Sequence, residues 1–399
     1  MKILMVCEGI TKYSIIAQPW KHVFELSRRM IKYGNDVQLL TNSADENAVY
    51  DEISGVPIIR VKKGKFFFAN KQLLKYLNDE KFDIINWHGS DAWSTVHAWR
   101  LRKKLKNNIV WTLHSGPLSL SDIRNLKFTE LPALTRFWNN VSNAICPSSV
   151  LKKWMCLPQI KGIITLSQRL KMYLVRNGIK GDKVIVIRSG VDIEKYDPTT
   201  KNKMASSKNL LKFDKDSKVV LYFGHPSPFR GLDTLIMAMR EVKKSFPFVE
   251  LLLLIRETGE KIKWLKRAAD KMKNVLIVEG VLEEEILISY LSLADIVVLP
   301  FRFWPQVECP LTVLEAMAMG KAVITTYSGA IPEIILNGKN GVLVPPNDPK
   351  KLANAIVNLL RNPSQIGEIG YAARNYIKRF HDWDVIVKDT LYAFSKFME

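Results

Sequence analysis

The sequence predicts an α/β protein of two doubly wound domains, each a parallel sheet with helices on both faces. Short runs rich in β-branched residues alternate with helical stretches, and the alternation occurs once in each half of the chain. Between the halves, Asp197 to Lys218 is polar, lysine-rich and poor in pattern, as expected of a connection between domains. A chain of 399 residues is long enough to bury two such cores, which meet near residue 195.

The first half is predicted to alternate strands and helices from its start. Each strand-like run is short and apolar, which favours strands that are buried on both faces of a parallel sheet. The predicted strands are KILMVC, DVQLLT, DIINWH, IVWTLH, GIITLS and VIVI. The helices between them include Pro19 to Tyr33 and Ala92 to Lys106.

The second half repeats the pattern with stronger apolar runs. Its predicted strands are VVLYF, ELLLLI, NVLIVE, DIVVLP, AVIT and GVLVP. Predicted helices lie near Leu232 to Ser245, Glu283 to Leu293, Leu311 to Met319 and Lys350 to Leu360. The two halves therefore have the same fold class.

The residues that follow each strand carry the most functional information, because open parallel sheets bind ligands at the carboxyl ends of their strands. Two such sheets facing each other across a cleft would suit an enzyme with two substrates. The polar and glycine residues at these positions are Glu8, Gly9, His88, Gly89, His114 to Gly116, Gly224 to Gly231, and Glu308.

The stretch VECPLTVLEAMAMG places two acids around a short apolar helix. Pro310 suits the start of that helix and Gly320 its end, so Glu315 is helical and Glu308 is not. A buried acid costs several kcal/mol unless it receives hydrogen bonds. The free amides of Leu311, Thr312 and Val313 would form a positive helix end suited to phosphate. A ligand with hydroxyls and phosphate would satisfy all of these groups.

The charge balance of 59 basic against 39 acidic residues indicates anionic partners such as nucleotides, anionic lipid or nucleic acid. Basic residues are spread along the whole chain, without the recognition elements of sequence-specific DNA binding. A solvated lysine-rich surface is the simpler explanation of the same excess.

Cysteine usage and hydropathy indicate a cytoplasmic protein. The four cysteines show neither close pairs nor metal-type spacing, which predicts free thiols and no metal site. No apolar run approaches 18 residues, and the N-terminal run is too short for a signal peptide. Cys309 lacks a nearby histidine in sequence, which favours a packing role over a nucleophile.

Four segments resemble motifs of one enzyme family. They are LEAMAMGKAVITTYSGAIPEIILNGKNGVLVPPNDPKKLANAI, VVLYFGHPSPFRGLDTLIMAM, VIVIRSGVDIEKYDP and FHDWDVIVKDTLYAF. Together they resemble the retaining glycosyltransferases of family 4, which have the GT-B architecture. The resemblance implies two facing Rossmann-like domains with an interdomain cleft: an acceptor-side domain over 1–195 and a nucleotide-sugar domain over 196–380. It also implies that a C-terminal helix over 381–399 crosses back onto the first domain.

The resemblance implies transfer of a sugar from a nucleoside-diphosphate sugar to a hydroxyl acceptor, with retained configuration. Glu315 matches the acid that holds the ribose hydroxyls, and Glu308 the acid that faces the transferred sugar. Arg230, framed by Gly224 and Gly231, matches the diphosphate-binding lysine. His225 falls where the family often has an arginine. The residues alone also allow a core acid for Glu315 and an ordinary surface residue for Arg230.

In the first half, His114 matches a histidine that family members aim at the donor sugar. A lone histidine at a strand end is also often a hydrogen-bonded core residue. Gly9, His88 and Asp91 are acceptor-side candidates. Trp87 and Trp93 could stack on a carbohydrate, although tryptophan in a core is the commoner case.

Several positions depart from the family pattern. Six residues separate Glu308 from Glu315, where the family usually has seven, and Ala17 and Gln18 replace a Gly-Gly pair. Arg188 replaces a proline of the interdomain motif. These changes indicate a divergent subfamily with an unusual donor or acceptor, weakened activity, or a degraded non-catalytic member.

The sequence allows more than one acceptor and more than one function. Pro117 to Ile160 has scattered aromatic and basic residues, which suit either a surface for a lipid-linked acceptor at the inner face of an anionic membrane or a helical cover. A glycan or a small molecule are the other acceptors. The alternatives to transfer are a nucleotide-sugar epimerase and a non-catalytic polyanion-binding protein. A dehydrogenase is disfavoured, because no G-x-G-x-x-G follows either first strand. No cofactor or metal is expected.

Overall fold

The computed structural model describes residues 1–11, 14–16, 18–43, 49–62, 76–78, 80–89, 107–115, 152–153, 155–199, 213, 216–256, 262–302 and 308–399. These residues form two compact units. The first comprises Met1–Gly190 together with Trp383–Glu399, and the second comprises Val191–Asp382.

The first unit is built on an eight-stranded sheet in the order β3-β4-β2-β1-β5-β6-β7-β8. Every pairing is parallel except that of β3 with β4. The strands are β1 (Lys2–Val6), β2 (Asp36–Ser43), β3 (Val49–Ile53), β4 (Val56–Lys62), β5 (Ile84–Gly89), β6 (Ile109–Leu113), β7 (Ile160–Thr165) and β8 (Val184–Val186).

Alternate residues of β1 face opposite sides of this sheet, as the period of a strand requires. Ile3 and Met5 pack with helix α1 (Trp20–Lys32) and the C-terminal helix α9 (Trp383–Met398). Leu4 and Val6 pack on the other side with helix α2 (Gln168–Arg176). The sheet is therefore covered on both faces, which is the doubly wound arrangement.

The second unit contains a six-stranded, fully parallel sheet in the order β11-β10-β9-β12-β13-β14. Its strands are β9 (Lys218–Gly224), β10 (Val249–Ile255), β11 (Val275–Glu279), β12 (Ile296–Leu299), β13 (Ala322–Thr326) and β14 (Val342–Val344). Its helices are α3 (Leu232–Ser245), α4 (Lys263–Met272), α5 (Glu284–Leu293), α6 (Leu311–Ala318), α7 (Pro349–Arg361) and α8 (Pro363–Phe380).

Local sequence explains where these helices begin and end. Asp348 caps α7 by accepting a hydrogen bond from the amide of Lys351 at 2.9 Å, and Pro349 occupies the first helical position. Gly320, with φ +64°, follows the end of α6. The predicted start of α6 after Pro310 is confirmed.

The predicted α/β class and the two parallel sheets are confirmed, and each of the twelve predicted strand runs overlaps an observed strand. The hairpin of β3 and β4 was not predicted. Its turn is formed by Ser54 and Gly55, with φ +49° and +80°, which matches the twist of a two-residue hairpin. Asp51, Glu52 and Pro57 make the flanking segments look unlike strands. The predicted helix Ala92 to Lys106 lies outside the described residues.

Both sheets share the core strand order of a Rossmann fold, with a reversal of direction in strand order between β1 and β5 and again between β9 and β12. We call these positions the first and second switch points. Among the described helices, none has both the length and the apolar character needed to cross a bilayer.

Candidate functional site

Gly224 and Gly231 shape the turn that joins β9 to α3 at the second switch point. Gly231 has φ +65°, and a Cβ there would lie 1.9 Å from the carbonyl oxygen of Pro300. Only glycine fits so close an approach. The amide of Arg302 donates to the carbonyl of Phe229 at 2.9 Å. These contacts hold the turn after β9 directly against the chain that leaves β12.

Arg230 is positioned by this turn beside helix α6. Its Nη1 donates to the hydroxyl of Thr312 at 3.2 Å, and its guanidinium carbon lies 4.7 Å from the ring centre of Phe301. Burial lowers the pKa of Arg230, and the nearby carboxylate of Glu315 partly offsets that shift. The guanidinium forms no ion pair with any side chain in the described ranges. It is a partly buried cation beside a helix end.

The start of α6 offers two free amides rather than the three that were predicted. Pro310 has an extended conformation, and the amide of Val313 donates back to its carbonyl at 3.0 Å. The prediction of a free Val313 amide is therefore wrong, because the first turn tightens into a three-residue hydrogen bond. The amides of Leu311 and Thr312 have no backbone acceptor among the described residues.

Both predicted acids are buried. Glu315 lies inside α6 and is 6% exposed, and Glu308 lies outside the helix, two residues before Pro310, and is 4% exposed. Glu315 interacts electrostatically with Arg230 and with Arg256. The structure thus brings Gly224, Arg230, Thr312 and Glu315 together, and we call this set the second-sheet site.

Arg256 belongs to the same electrostatic environment, although sequence reasoning did not select it. It follows β10 directly, and its amide donates to the carbonyl of Gly224 at 2.9 Å. Burial lowers its pKa, whereas the carboxylate of Glu315 acts in the opposite direction. Its position at the carboxyl end of a strand was the signal that could have found it.

Tyr196 is a second residue that the sequence did not reveal. Its side chain is 1% exposed, its hydroxyl donates to Oε1 of Glu284 at 3.2 Å, and it also interacts with Glu315. Burial and these two carboxylates raise the pKa of Tyr196 well above its usual value. The buried side chain of Tyr196 therefore helps to hold the carboxylate of Glu315 in place.

Arg374 fixes the segment that carries Tyr196. Its guanidinium donates to the carbonyls of Tyr196, of Ile193 at 2.8 Å, and of Ala318 at 2.6 Å. Ala318 is the last residue of α6. One buried arginine therefore ties that segment to the end of the helix that bears Glu315.

His225 lies where the family often has an arginine, and it forms hydrogen bonds within the turn after β9. Its Nδ1 accepts a hydrogen bond from the amide of Ser227 at 3.3 Å, and its carbonyl accepts from the hydroxyl of Tyr222 at 2.8 Å. These contacts give the residue a structural role in the turn after β9.

The first switch point holds three buried histidines. His88 Nδ1 and His114 Nε2 lie 2.9 Å apart, and the ring of His22 lies 5.1 Å from that of His114, edge to face. The ring of Trp383 lies 5.5 Å from that of His22. Burial lowers the pKa of His22 to about 4 and lowers the pKa values of His88 and His114 well below their usual value. We call His22, His88 and His114 the histidine cluster.

The other first-half candidates are less informative. Gly9 has φ +77°, and its amide donates to Oδ1 of Asn42 at 2.8 Å. That amide is therefore already used. Asp91 lies outside the described residues. His22 was not selected from the sequence, because nothing in the pattern of α1 indicates that its first turn faces the ends of β5 and β6.

Two family models match the chain. The model described as glycosyltransferase family 4 matches residues 20–195, and the model described as glycosyl transferases group 1 matches residues 217–362. The chain belongs to the family 4 glycosyltransferases. The second-sheet site lies within the group 1 match, and the histidine cluster lies within the family 4 match.

Curated relatives agree with this family. An uncharacterised glycosyltransferase of Methanocaldococcus jannaschii is 24% identical over 59% of this chain. A GDP-mannose-dependent monoacylated alpha-(1-6)-phosphatidylinositol monomannoside mannosyltransferase of Corynebacterium glutamicum is 30% identical over 50% of it. The matches span 58% and 52% of the lengths of these two relatives. A phosphatidyl-myo-inositol mannosyltransferase of Mycobacterium leprae is 23% identical over 99% of this chain and 96% of its own.

Solved structures show the same GT-B fold. Sucrose-phosphate synthase from Thermosynechococcus elongatus superposes with a TM-score of 0.77 and 20% identity, covering 99% of both chains. HepE from Anabaena, solved in complex with UDP and glucose, superposes with a TM-score of 0.75 and 17% identity, also covering 99% of both chains. The predicted GT-B class of this glycosyltransferase is thereby confirmed.

Proposed function

We propose that this glycosyltransferase moves a sugar from a nucleoside-diphosphate sugar to a hydroxyl acceptor, with retained configuration. The observation that carries the proposal is the buried carboxylate of Glu315, which interacts with two guanidinium groups and lies on α6, where the amides of Leu311 and Thr312 have no acceptor among the described residues. A nucleoside diphosphate has hydroxyls for the acid and phosphates for the cations and amides. Solved neighbours bound to UDP and glucose, or to ADP and acarbose, support this class of donor.

In the proposed complex, Glu315 accepts hydrogen bonds from the two ribose hydroxyls. The network of Tyr196 and Arg374 holds the carboxylate and its helix in place, so that little ordering is required on binding. The amides of Leu311 and Thr312 and the guanidinium of Arg230 bind the diphosphate. Cleavage at the anomeric carbon increases negative charge on the diphosphate, and fixed donors stabilise that charge in the transition state.

Retention is proposed to follow from attack of the acceptor on the same face from which the diphosphate leaves. The departing phosphate oxygen would take the proton of the acceptor hydroxyl. Glu308 and His114 stay predictions as the groups that face the transferred sugar. A neutral imidazole, which is the form that burial favours in His114, can hydrogen-bond a sugar hydroxyl without bringing a charge to it.

A thermal-shift screen of the full chain with UDP-, GDP- and ADP-sugars tests the donor class, because a ligand that binds only the folded state raises its melting temperature. The selected donor is then incubated with candidate glycan, lipid-linked and small-molecule acceptors. NMR of the product reports the anomeric configuration. Conversion of the donor to another nucleotide sugar without any acceptor would contradict transfer and indicate an epimerase.

Two further parts of the proposal concern partners. We propose that the reaction needs no metal, because Arg230 and the helix amides supply the positive charge; turnover unchanged by EDTA is the expected result.

Peripheral contact with an anionic membrane follows from the excess of basic residues. Flotation with anionic vesicles at low and high salt tests it, and no flotation at low salt would contradict it.

A further inference from the structure

We infer that Arg256 is a second donor-binding cation, which contacts the diphosphate together with Arg230. The inference rests on the proposed function and adds a residue to it.

Arg256 is attached to the second-sheet site through the backbone. Strands β9 and β10 pair in parallel, and Ile255 opposite Gly224 is their last pair. Arg256 is therefore the first residue after the paired part of β10. Its amide donates to the carbonyl of Gly224 at 2.9 Å. A Cβ built on the same glycine would lie 3.7 Å from Nη1 of Arg230. The backbone of Arg256 and the guanidinium of Arg230 therefore meet at one glycine.

The two guanidinium groups repel each other. The charge of Arg256 lowers the pKa of Arg230, and burial lowers the pKa values of both. Neither forms an ion pair with a side chain in the part of the chain that the structure describes. Arg302, by contrast, pairs with Asp233 nearby. One carboxylate, that of Glu315, therefore faces two partly buried cations, and an anionic ligand would balance the remaining positive charge.

His225 explains why a second cation has to come from β10. In this chain the position of the usual family arginine holds a histidine, whose Nδ1 accepts a hydrogen bond from the amide of Ser227. An imidazole that accepts at this nitrogen carries no proton there. The positive charge that a diphosphate needs is instead supplied from the neighbouring strand end.

The carboxylate of Glu315 links the two cations to the ribose end of the ligand. Glu315 is the assigned ribose acid, and its carboxylate counteracts the effect of burial on the pKa values of both Arg230 and Arg256. Arg230 also donates a hydrogen bond to Thr312 at the tip of α6. Both cations are assigned to the diphosphate, which follows the ribose in the ligand.

This assignment predicts a loss for the ligands that carry phosphate and none for the nucleoside. Arg256→Gln should weaken binding of the nucleoside diphosphate by about tenfold or more, which is the usual scale for a hydrogen bond to a charged group. It should not affect binding of the nucleoside alone.

Calorimetry of the full chain tests this with uridine, UMP and UDP, and with the guanosine and adenosine series. Arg267→Gln is the matched control, because Arg267 is exposed on α4 and its loss removes the same charge from the same unit. Melting temperatures show that each variant is folded. Arg256→Lys should recover part of the affinity if charge is the cause.

The outcomes separate the inference from the proposed function. Wild type that binds a diphosphate, with Arg256→Gln matching Arg267→Gln for all ligands, overturns the inference and leaves the proposed function standing. Equal losses for the nucleoside and its phosphates would place Arg256 on the base or ribose and also overturn it. Wild type that binds none of the three diphosphates overturns both.

Discussion

The two switch points have the same strand order around them but hold opposite kinds of polar group. At the second switch point the structure gathers Arg230, Arg256 and the buried carboxylate of Glu315. At the first, it gathers His22, His88 and His114, whose pKa values are all lowered by burial. One strand end is charged and the other is neutral at physiological pH.

The difference shows how local burial adapts one fold to two kinds of ligand. Guanidinium groups at the start of a helix suit an anion, whereas buried neutral imidazoles suit an uncharged polar partner. The fold places polar groups at the ends of strands in both units. The residue types then determine the chemistry at each end.

The largest expected effect is at the charged switch point. Glu315→Ala should weaken donor binding by about 100-fold or more, because the ribose hydroxyls lose a charged acceptor and a cavity replaces the carboxylate. Calorimetric titration with the donor measures this. Glu241→Ala, an exposed acid on α3, is the matched control. Unchanged affinity in Glu315→Ala would end the ribose assignment.

Arg230→Ala should lower turnover more than donor affinity. Charge on the diphosphate grows as the glycosidic bond breaks, so a fixed cation contributes more to the transition state than to the bound donor. We expect kcat to fall by about 100-fold, with only a modest rise in the KM for donor. Steady-state kinetics separate the two. A rise in KM with kcat unchanged would show that Arg230 serves binding only.

The histidine cluster at the first switch point should make the free energy of unfolding depend on pH. His22 titrates at about 4 when folded and near 6.5 when unfolded, so the unfolded chain binds more protons between these values. The contribution of His22 to the free energy of unfolding is fully present above pH 6.5. It is lost as the pH drops toward 4, which lowers the free energy of unfolding by about 3 kcal/mol. Urea unfolding followed by tryptophan fluorescence at a series of pH values measures this. His22→Gln should flatten the profile, and an equally steep profile would contradict the assignment.

The smallest expected effect comes from Tyr196, which helps to position Glu315. Tyr196→Phe removes a hydroxyl that two acids share and leaves the ring in place. We expect donor affinity to fall by only a few fold, since the hydroxyl positions the carboxylate of Glu315 and does not itself contact the donor in the proposed complex. Calorimetry with the selected donor measures it. Affinity equal to wild type would show that Arg374 and the packing of α6 hold the acid without the hydroxyl.

Much of this architecture could be predicted from local pattern. The buried strands are continuous apolar runs, and the helix before Gly320 has a clear start and stop, so both were predicted close to their observed limits. The hairpin of β3 and β4 was not, because Asp51, Glu52 and Pro57 disguise its strands. Hydrophobic periodicity indicates which residues of a segment are buried. It does not identify edge strands that contain both charged and apolar residues.

The supporting residues of the site could not be predicted for a different reason. Tyr196 and Arg374 reach α6 from segments far away in sequence, and no local pattern encodes such contacts. Arg256 did have a local signal, because it follows a strand directly, but the polar stretch that it begins, RETGE, resembles an ordinary loop. His22 lies in a helix, where only the packed structure shows that it meets His114.

The central claim is that Glu315 binds the ribose of a nucleoside diphosphate at the second switch point. Its most direct test is calorimetric titration of the full chain with the ribonucleoside diphosphate of the preferred base and with its 2′,3′-dideoxy counterpart. We predict that the dideoxy compound binds at least about tenfold more weakly, because it leaves a buried acid without its donors. Equal affinity for the two compounds would contradict the account.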